Sequence, residues 1–310
     1  MNNENILETY LKSVETNHLI EKQHVSQTTI KTYRDRLRLF FNYIGDKPLS
    51  KVMTMDIKAY LADCVKKDIK PATLKARLSA LKAMYKELSD PEYGLEIYDM
   101  ANCIKSIKNT YSHKRPVEKE DLNKIVEYVK IRKSLSDLCM RNYLFVQVLR
   151  FYGLRVSSAL NIKACDIVFE DKGIRLNYIS KGNKERSKLM PYMNSDGDLM
   201  EQVELFGSNL KAHIEKIDSG LIFLTKTGNG WSYCAALKVF KKVCSECGFA
   251  KKNYTPHSIR HSFVSHKLAA GVPLQTVSNL ADHANTFITA SIYSKAEDSE
   301  TEAAMAIGLI

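Results

Sequence analysis

Proline and glycine are scarce in this chain, at 7 and 13 of 310 residues. So few helix breakers exclude a collagen-like or Pro/Gly-rich low-complexity polypeptide and leave long stretches able to stay helical. Cysteine is sparse as well: seven residues, an odd number, scattered along a long chain. That excludes the disulfide framework of a small secreted domain. One C-x-x-C, "CSEC" at Cys244 and Cys247, has no second pair at zinc-finger spacing. The thiols therefore read as small buried side chains, and the compartment as a reducing cytoplasm. No apolar run approaches the ~20 residues of a membrane span. The opening "MNNENILETYLKSVE" lacks the charged stretch and apolar core of a secretory signal. Acidic residues are short too, 35 against 46 Lys and Arg, for a formal charge of +11 and a pI near 9.1. An excess of that size favours a polyanionic partner, nucleic acid or an anionic membrane surface, over the alternative of an ordinary basic enzyme.

What is present is a soluble, globular profile, 45% hydrophobic and 26% charged, on a chain long enough for two domains with cores. The first part reads as helices. Ile6, Leu7, Tyr10, Leu11 and Val14 recur at helical spacing. Ser26 is placed to cap a second helix with the stripe Ile30, Tyr33, Leu37, Phe40, Phe41 and Ile44, which Gly45 stops. Thr54 is placed to cap a third, with Ile57, Tyr60, Leu61 and Cys64 inward. Pro71 opens a fourth, with Leu74, Leu78, Leu81, Met84, Tyr85 and Leu88 inward. Lys31, Arg34 and Arg38 on the second helix and Lys75, Arg77, Lys82 and Lys86 on the fourth read as basic outer faces, each one alone more ordinary as a solvated charge than as a DNA contact. The polar, basic "KNTYSHKRP" has no apolar periodicity and reads as a linker. Helices follow over 118–130 and 136–152. The period then changes: 166–169, 173–180 and 186–192 read as short strands, the last two joined by a Gly-Asn turn in "KGNKE", 181–185. Helices return over 232–248, 256–270 and 273–282, with one more carrying Tyr293. The expected fold is mainly α with a small antiparallel β-sheet (α+β), divided into 1–108, a linker over 109–116, and 117–310.

The richest stretch for chemistry is "TPHSIRHSFVSH". On a helix, His257, Arg260 and His261 lie at i, i+3 and i+4, close to one face. A zinc reading of His257 and His261 needs a glutamate after the first histidine, where Ser258 stands. No metal is expected. An arginine one turn from a histidine suits a phosphate better, since guanidinium is a planar fork of donors with a permanent charge and imidazole exchanges a proton near neutrality. Alone, H-x-x-R is more often structural. The same chemistry recurs elsewhere. "FYGLRVSSALNI" puts Arg155 at a helix start, and "SKGNKERSKLMP" puts Lys181 at the mouth of a hairpin. "LADHANTFITASIYSK" holds His283 and then Tyr293.

In this order the pieces resemble the tyrosine recombinases, the phage-integrase family of site-specific DNA recombinases. "GLRVSSALNI" resembles the first arginine box, "SKGNKERSKLMP" the β-hairpin lysine, "TPHSIRHSFVSHKLAAGVPLQTVSNLADHA" the His-x-x-Arg box running into the second histidine box, and "SIYSK" the tyrosine segment. Each box is weak alone; four in order, over nearly the whole chain, are strong. The resemblance implies a helical core-binding, SAM-like DNA-binding domain over 1–108 and a catalytic domain with a C-terminal docking segment over 117–310. It implies that Tyr293 attacks the scissile phosphorus to give a 3′-phosphotyrosyl bond. Arg155 and Arg260 would bind the nonbridging oxygens, Lys181 protonate the leaving 5′-oxygen, His257 assist proton transfer at the tyrosine and His283 hydrogen-bond the phosphate. His261 and His266 would be structural. The implied partners are double-stranded DNA and three further copies in a homotetramer on paired sites, with an unknown directionality factor possible; no membrane, cofactor, metal or ATP is implied. Three departures stand out: Ser158 where the family has an acid, Asp282 where it commonly has glycine, and a His283-to-Tyr293 step of 293 − 283 = 10, one longer than usual. Ser158 and the longer step motivate one alternative, a weak or inactive DNA-binding protein of the same fold. A metal-dependent hydrolase or nuclease is a third class, distinguished by loss of activity with chelator.

Overall fold

The computed structural model describes residues 2–20, 27–107, 116–180, 182–217, 220–283 and 285–290. Ser26, Lys181, Tyr293 and the tail "TEAAMAIGLI" lie outside the described residues. The chain divides into two compact units, Met1–His113 and Lys114–Ile310.

The first unit holds α1 (Asn3–Ile20), α2 (Gln27–Ile44), α3 (Thr54–Lys66) and α4 (Pro71–Leu88). The apolar stripes expected of these helices face one another: Leu7 and Tyr10, Leu37 and Phe40, Ile57 and Tyr60, Met84 and Tyr85 share a single buried cluster. Two expectations need correction. Thr54 begins α3 but does not cap it. Met53 is the N-cap, its N–H donates to the Asp56 carboxylate at 2.8 Å, and the Thr54 hydroxyl donates to the Met100 carbonyl at 3.0 Å. The basic faces are also thinner than the helical wheel implies. α1 packs on α2, so Arg34 pairs with Glu8 at 2.9 Å and Arg38 with Glu4 at 3.9 Å. Arg77 turns inward and donates to the Cys64 sulfur at 3.0 Å. Lys31 and Lys86 remain exposed.

The second unit is built around α6 (Asp137–Tyr152), packed by α5 (Lys119–Arg132), α8 (Glu201–Ile214) and α10 (Pro256–Ala269). Tyr143 to Val146, then Val148 and Leu149, are all buried, so α6 is apolar on nearly every side, as a central helix must be. Its ends are marked by sequence. The Ser136 hydroxyl accepts the Cys139 N–H at 3.2 Å, and Gly153 closes the helix with φ +59°. A Cβ on Gly153 would meet the Phe263 ring at 2.3 Å, so the close approach of α10 also demands glycine. After the five-residue α7 (Val156–Leu160) come β1 (Ile167–Glu170), β2 (Gly173–Ser180) and β3 (Lys184–Pro191), an antiparallel sheet in the order β1-β2-β3. The hairpin is tighter than expected. Ser180 pairs with Lys184, so Lys184 and Glu185 belong to β3, and Gly182 and Asn183 take positive φ in the turn. α9 (Tyr233–Glu246) and α11 (Leu274–Leu280) complete the unit, and residues 286–290 are again helical. α8 was not anticipated.

α10 is anchored by hydroxyls. Thr255 is its N-cap residue, Pro256 its first, and the Thr255 N–H donates to Ser258 Oγ at 3.2 Å. Ser262 Oγ accepts the Val117 N–H at 2.7 Å and donates to the Val117 carbonyl at 2.9 Å.

Candidate active site

Three turns of chain converge on one place: the exit of α6, the first turns of α10 and the exit of α11. Arg155 is the N-cap residue of α7, in extended backbone, just past the Gly153 turn. Its guanidinium donates to the Asp282 carbonyl. Arg260 projects from α10, is 3% exposed, and donates to the Gly153 carbonyl at 2.7 Å and to the Ala281 carbonyl. Two guanidinium groups from different helices are thus tied to neighbouring carbonyls, 281 and 282, which fixes their relative position. Burial, then the charge of Arg155, pulls Arg260 down to about 10, with Asp282 and Tyr178 opposing. It stays cationic at neutral pH, but as an under-solvated cation it gains more than a surface arginine from an arriving anion.

His283 follows Asp282 and is half-buried. Burial, then Arg260, Arg155 and His261, pushes it down to about 4. It is therefore neutral at working pH. Its Nδ1 lies 2.8 Å from the Thr289 hydroxyl. With that hydroxyl donating, Nε2 carries the hydrogen and is a donor; the tautomer is assigned from this partner. His257 lies in the first turn of α10, half-buried, with its ring edge-on to His261 at 4.7 Å between centroids. His261 acts electrostatically on His283, so it borders the same place. His266 does not. Burial and then Lys119 and Arg150 lower it, on the side of α10 that faces α5.

The structure thus brings Arg155, Arg260 and His283 together, with His257 alongside through His261. Lys181 and Tyr293 are the two expected site residues outside the described ones. Ser158 turns away from the arginines, its hydroxyl donating to the Ile179 carbonyl on β2 at 2.8 Å. Three further residues sit at the site: Tyr178 and Lys188 were not anticipated, and Asp282 stood out only as a departure from the resembled family's glycine. The Asp282 carboxylate accepts from the Tyr178 hydroxyl at 2.6 Å and from Lys188 Nζ at 3.3 Å. Lys188 Nζ also donates to the Tyr152 carbonyl at 3.1 Å. The signal for Lys188 was strand parity. It pairs with the buried Leu176, so it shares the inward face of the sheet. Among the described residues no three His, Cys, Asp or Glu side chains gather as a metal group, and no helix is long and apolar enough to cross a membrane.

Residues 115–300 match the model of the phage integrase family. The chain belongs to that family. Residues 16–91 match the phage integrase N-terminal SAM-like domain. A tyrosine recombinase of Pseudothermotoga lettingae is 27% identical over 271 residues, covering 79% of this chain and 86% of that protein. Tyrosine recombinase XerD of Listeria innocua is 27% identical over 275 residues, covering 87% and 89%. Among solved structures, the XerH site-specific recombinase bound to palindromic difH substrate superposes with a TM-score of 0.74 at 19% identity, covering 97% of this chain and 83% of that one. A lambda integrase dimer bound to a COC′ core site gives 0.71 at 15% identity, covering 94% and 77%. The fold is the shared one: a SAM-like helical domain and a mainly helical catalytic domain with a small antiparallel sheet. As a family member the chain is a tyrosine-type site-specific DNA recombinase, an enzyme that cuts and rejoins DNA strands.

Proposed function

We propose that Arg155 and Arg260 clasp one scissile phosphate of double-stranded DNA and that Tyr293 attacks its phosphorus, forming a 3′-phosphotyrosyl bond and releasing a 5′-hydroxyl. The observation that carries this reading is the pair of guanidinium groups tethered to the carbonyls of Gly153, Ala281 and Asp282 beside a neutral His283. Such a pair is preorganised for charge that grows on the nonbridging oxygens in the pentacoordinate transition state. His283, as a neutral donor, hydrogen-bonds the phosphate without adding a third full charge. Free tyrosine has a pKa of about 10, so Tyr293 needs the cations and His257 as proton acceptor to react at neutral pH. Lys181 protonates the leaving 5′-oxygen. The phosphotyrosyl bond conserves the energy of the phosphodiester, so rejoining requires no ATP; charge is handled by side chains, so no metal is required.

The division of labour follows 1–108 as DNA-binding domain, 109–116 as linker and 117–310 as catalytic domain. The active assembly is a homotetramer on paired sites in the cytoplasm, with the C-terminal segment docking on a neighbour. The solved lambda integrase tetramer bound to a Holliday junction supports this assembly by analogy of fold. A DNA duplex nicked next to the cleavage point tests the chemistry. The wild-type chain is expected to form a covalent complex in EDTA, and Tyr293→Phe to form none. Trapping that survives Tyr293→Phe would remove this tyrosine, and trapping lost in EDTA would restore a metal mechanism.

A further inference from the structure

The two arginines create a difficulty in the absence of DNA. They are neighbouring cations, one of them almost wholly buried, and among the described residues neither makes an ion pair with a carboxylate. A carboxylate close enough to offset them would ordinarily form a bidentate pair with one of them and compete with the phosphate. Asp282 avoids this by its geometry. Its backbone carbonyl holds Arg155, while its carboxylate points to Tyr178 at 2.6 Å and to Lys188 at 3.3 Å. The side chains of Lys188 and Asp282 are 10% and 9% exposed. Lys188 is itself fixed by the Tyr152 carbonyl at 3.1 Å and lies 5.1 Å from the Tyr178 ring centre. Asp282 also adopts φ +50°, a left-handed conformation that costs a non-glycine residue on the order of 1 kcal/mol. A strained, buried, charged residue at a phosphate site is a departure from cheap folding that needs a reason.

We propose that Asp282 and Lys188 act together as a positioning pair for the DNA-cleavage reaction: Asp282 supplies the negative charge that lets Arg155 and Arg260 stand side by side, and Lys188 with Tyr178 holds that carboxylate off the arginines so that they receive the phosphate. Three elements contribute: β2 through Tyr178, β3 through Lys188 and the exit of α11 through Asp282. The charged groups facing Lys188 are Asp282, Arg260 and Arg155; burial and the two arginines lower it to about 8, against the pull of Asp282. With Asp282 neutralised, three cations would face one another with no counter-charge. The acid that the family carries on the segment after the first arginine is here Ser158, committed to Ile179, so the compensating carboxylate comes from a different part of the fold.

The inference rests on the assignment of Arg155 and Arg260 to the phosphate, and the test separates the two. Asp282→Asn keeps the carbonyl, the size and the tolerance of positive φ, and removes only the charge. In the full chain, the rate of covalent trapping on the nicked duplex and the DNA affinity are measured for Asp282→Asn, Lys188→Met, the double variant and Arg155→Ala. Each single charge removal is expected to slow trapping by about ten-fold or more while affinity changes by less than about two-fold, because the pair orders groups used in the transition state. The double variant should be no slower than the worse single one, since Lys188 acts only through the Asp282 carboxylate and its loss adds nothing once that carboxylate is gone. A packing role alone would instead lower the melting temperature, weaken binding and give losses that multiply. Wild-type trapping rates in Asp282→Asn, or losses that multiply in the double variant, overturn the pair. Full trapping by Arg155→Ala overturns the phosphate assignment and the pair with it.

Discussion

Replacing Gly153 by alanine should damage stability and chemistry together. The residue sits at φ +59°, and the new Cβ would lie 2.3 Å from Phe263 Cδ1 and 2.6 Å from Cγ. Left-handed backbone costs an L-residue roughly 1–2 kcal/mol. Driving an atom into a packed ring adds about 1–3 kcal/mol, because Phe263 is 8% exposed and held with Val264, Leu268 and Val277. The sum is about 2–5 kcal/mol. At roughly 2–4 °C per kcal/mol for a unit of this size, the catalytic transition should drop by at least about 4 °C. Gly271→Ala is the control: φ is +78° and nothing lies within 4 Å of the added Cβ, so it reports the backbone cost alone. The Gly153 carbonyl also receives Arg260 at 2.7 Å, so trapping should slow more in Gly153→Ala than in the control. Differential scanning calorimetry and the nicked-duplex assay read both effects. Equal melting shifts in the two variants would refute the steric argument, and an unaltered trapping rate would refute the coupling to Arg260.

Two pH effects follow from buried groups. His283 is held at about 4 when folded, against 6.5 when unfolded, so the unfolded chain binds the extra proton between those values. The stability His283 contributes is present above pH 6.5 and lost as pH falls toward 4; His283→Gln should flatten the slope of chemical denaturation in that window, with His266, also lowered by burial, keeping part of it. Asp121 is buried, which by itself would raise it, but hydrogen bonds from Lys252 at 2.6 Å and Tyr254 at 2.8 Å leave it below 3.8. Its contribution is present above 3.8 and lost in stronger acid, so Asp121→Asn should cost about 1–3 kcal/mol at neutral pH and lessen the acid sensitivity. A urea midpoint for this variant equal to wild type at pH 7 would count against that network.

Much of this molecule was legible from residue order. The stripes of α2, α3 and α4 pack inward as spaced, with Tyr33 and Ile44 only partly buried, because each is a clean 3.6-residue pattern. α8 escaped notice although Val203, Phe206, Gly207 and Leu210 carry its buried face; a glycine within the stripe and the turn-rich "NSDGD" just ahead of it obscure the period. The partners of Arg34, Arg38 and Arg77 were unreadable for another reason. A helical wheel says which residues share a face, and only packing says what that face meets. Arg155, His257, Arg260 and His283 could be put forward as candidates because four motifs, each weak alone, fall in the order of the resembled family. Asp282 stood out only as a departure and Lys188 not at all, since their meeting depends on the parity of β3 and on one left-handed residue after α11.

The clip between Ser262 and Val117 has a mechanical meaning. One hydroxyl grips both backbone groups of Val117, two residues ahead of α5, at 2.7 and 2.9 Å. Ser262 lies on the same helix as His257 and Arg260. A pull on Val117 is therefore expected to reach the helix that carries His257 and Arg260, the residues proposed to serve the phosphate. Cutting this clip with Ser262→Ala should loosen Val117 and α10 from each other, and with α10 the placement of the candidate site.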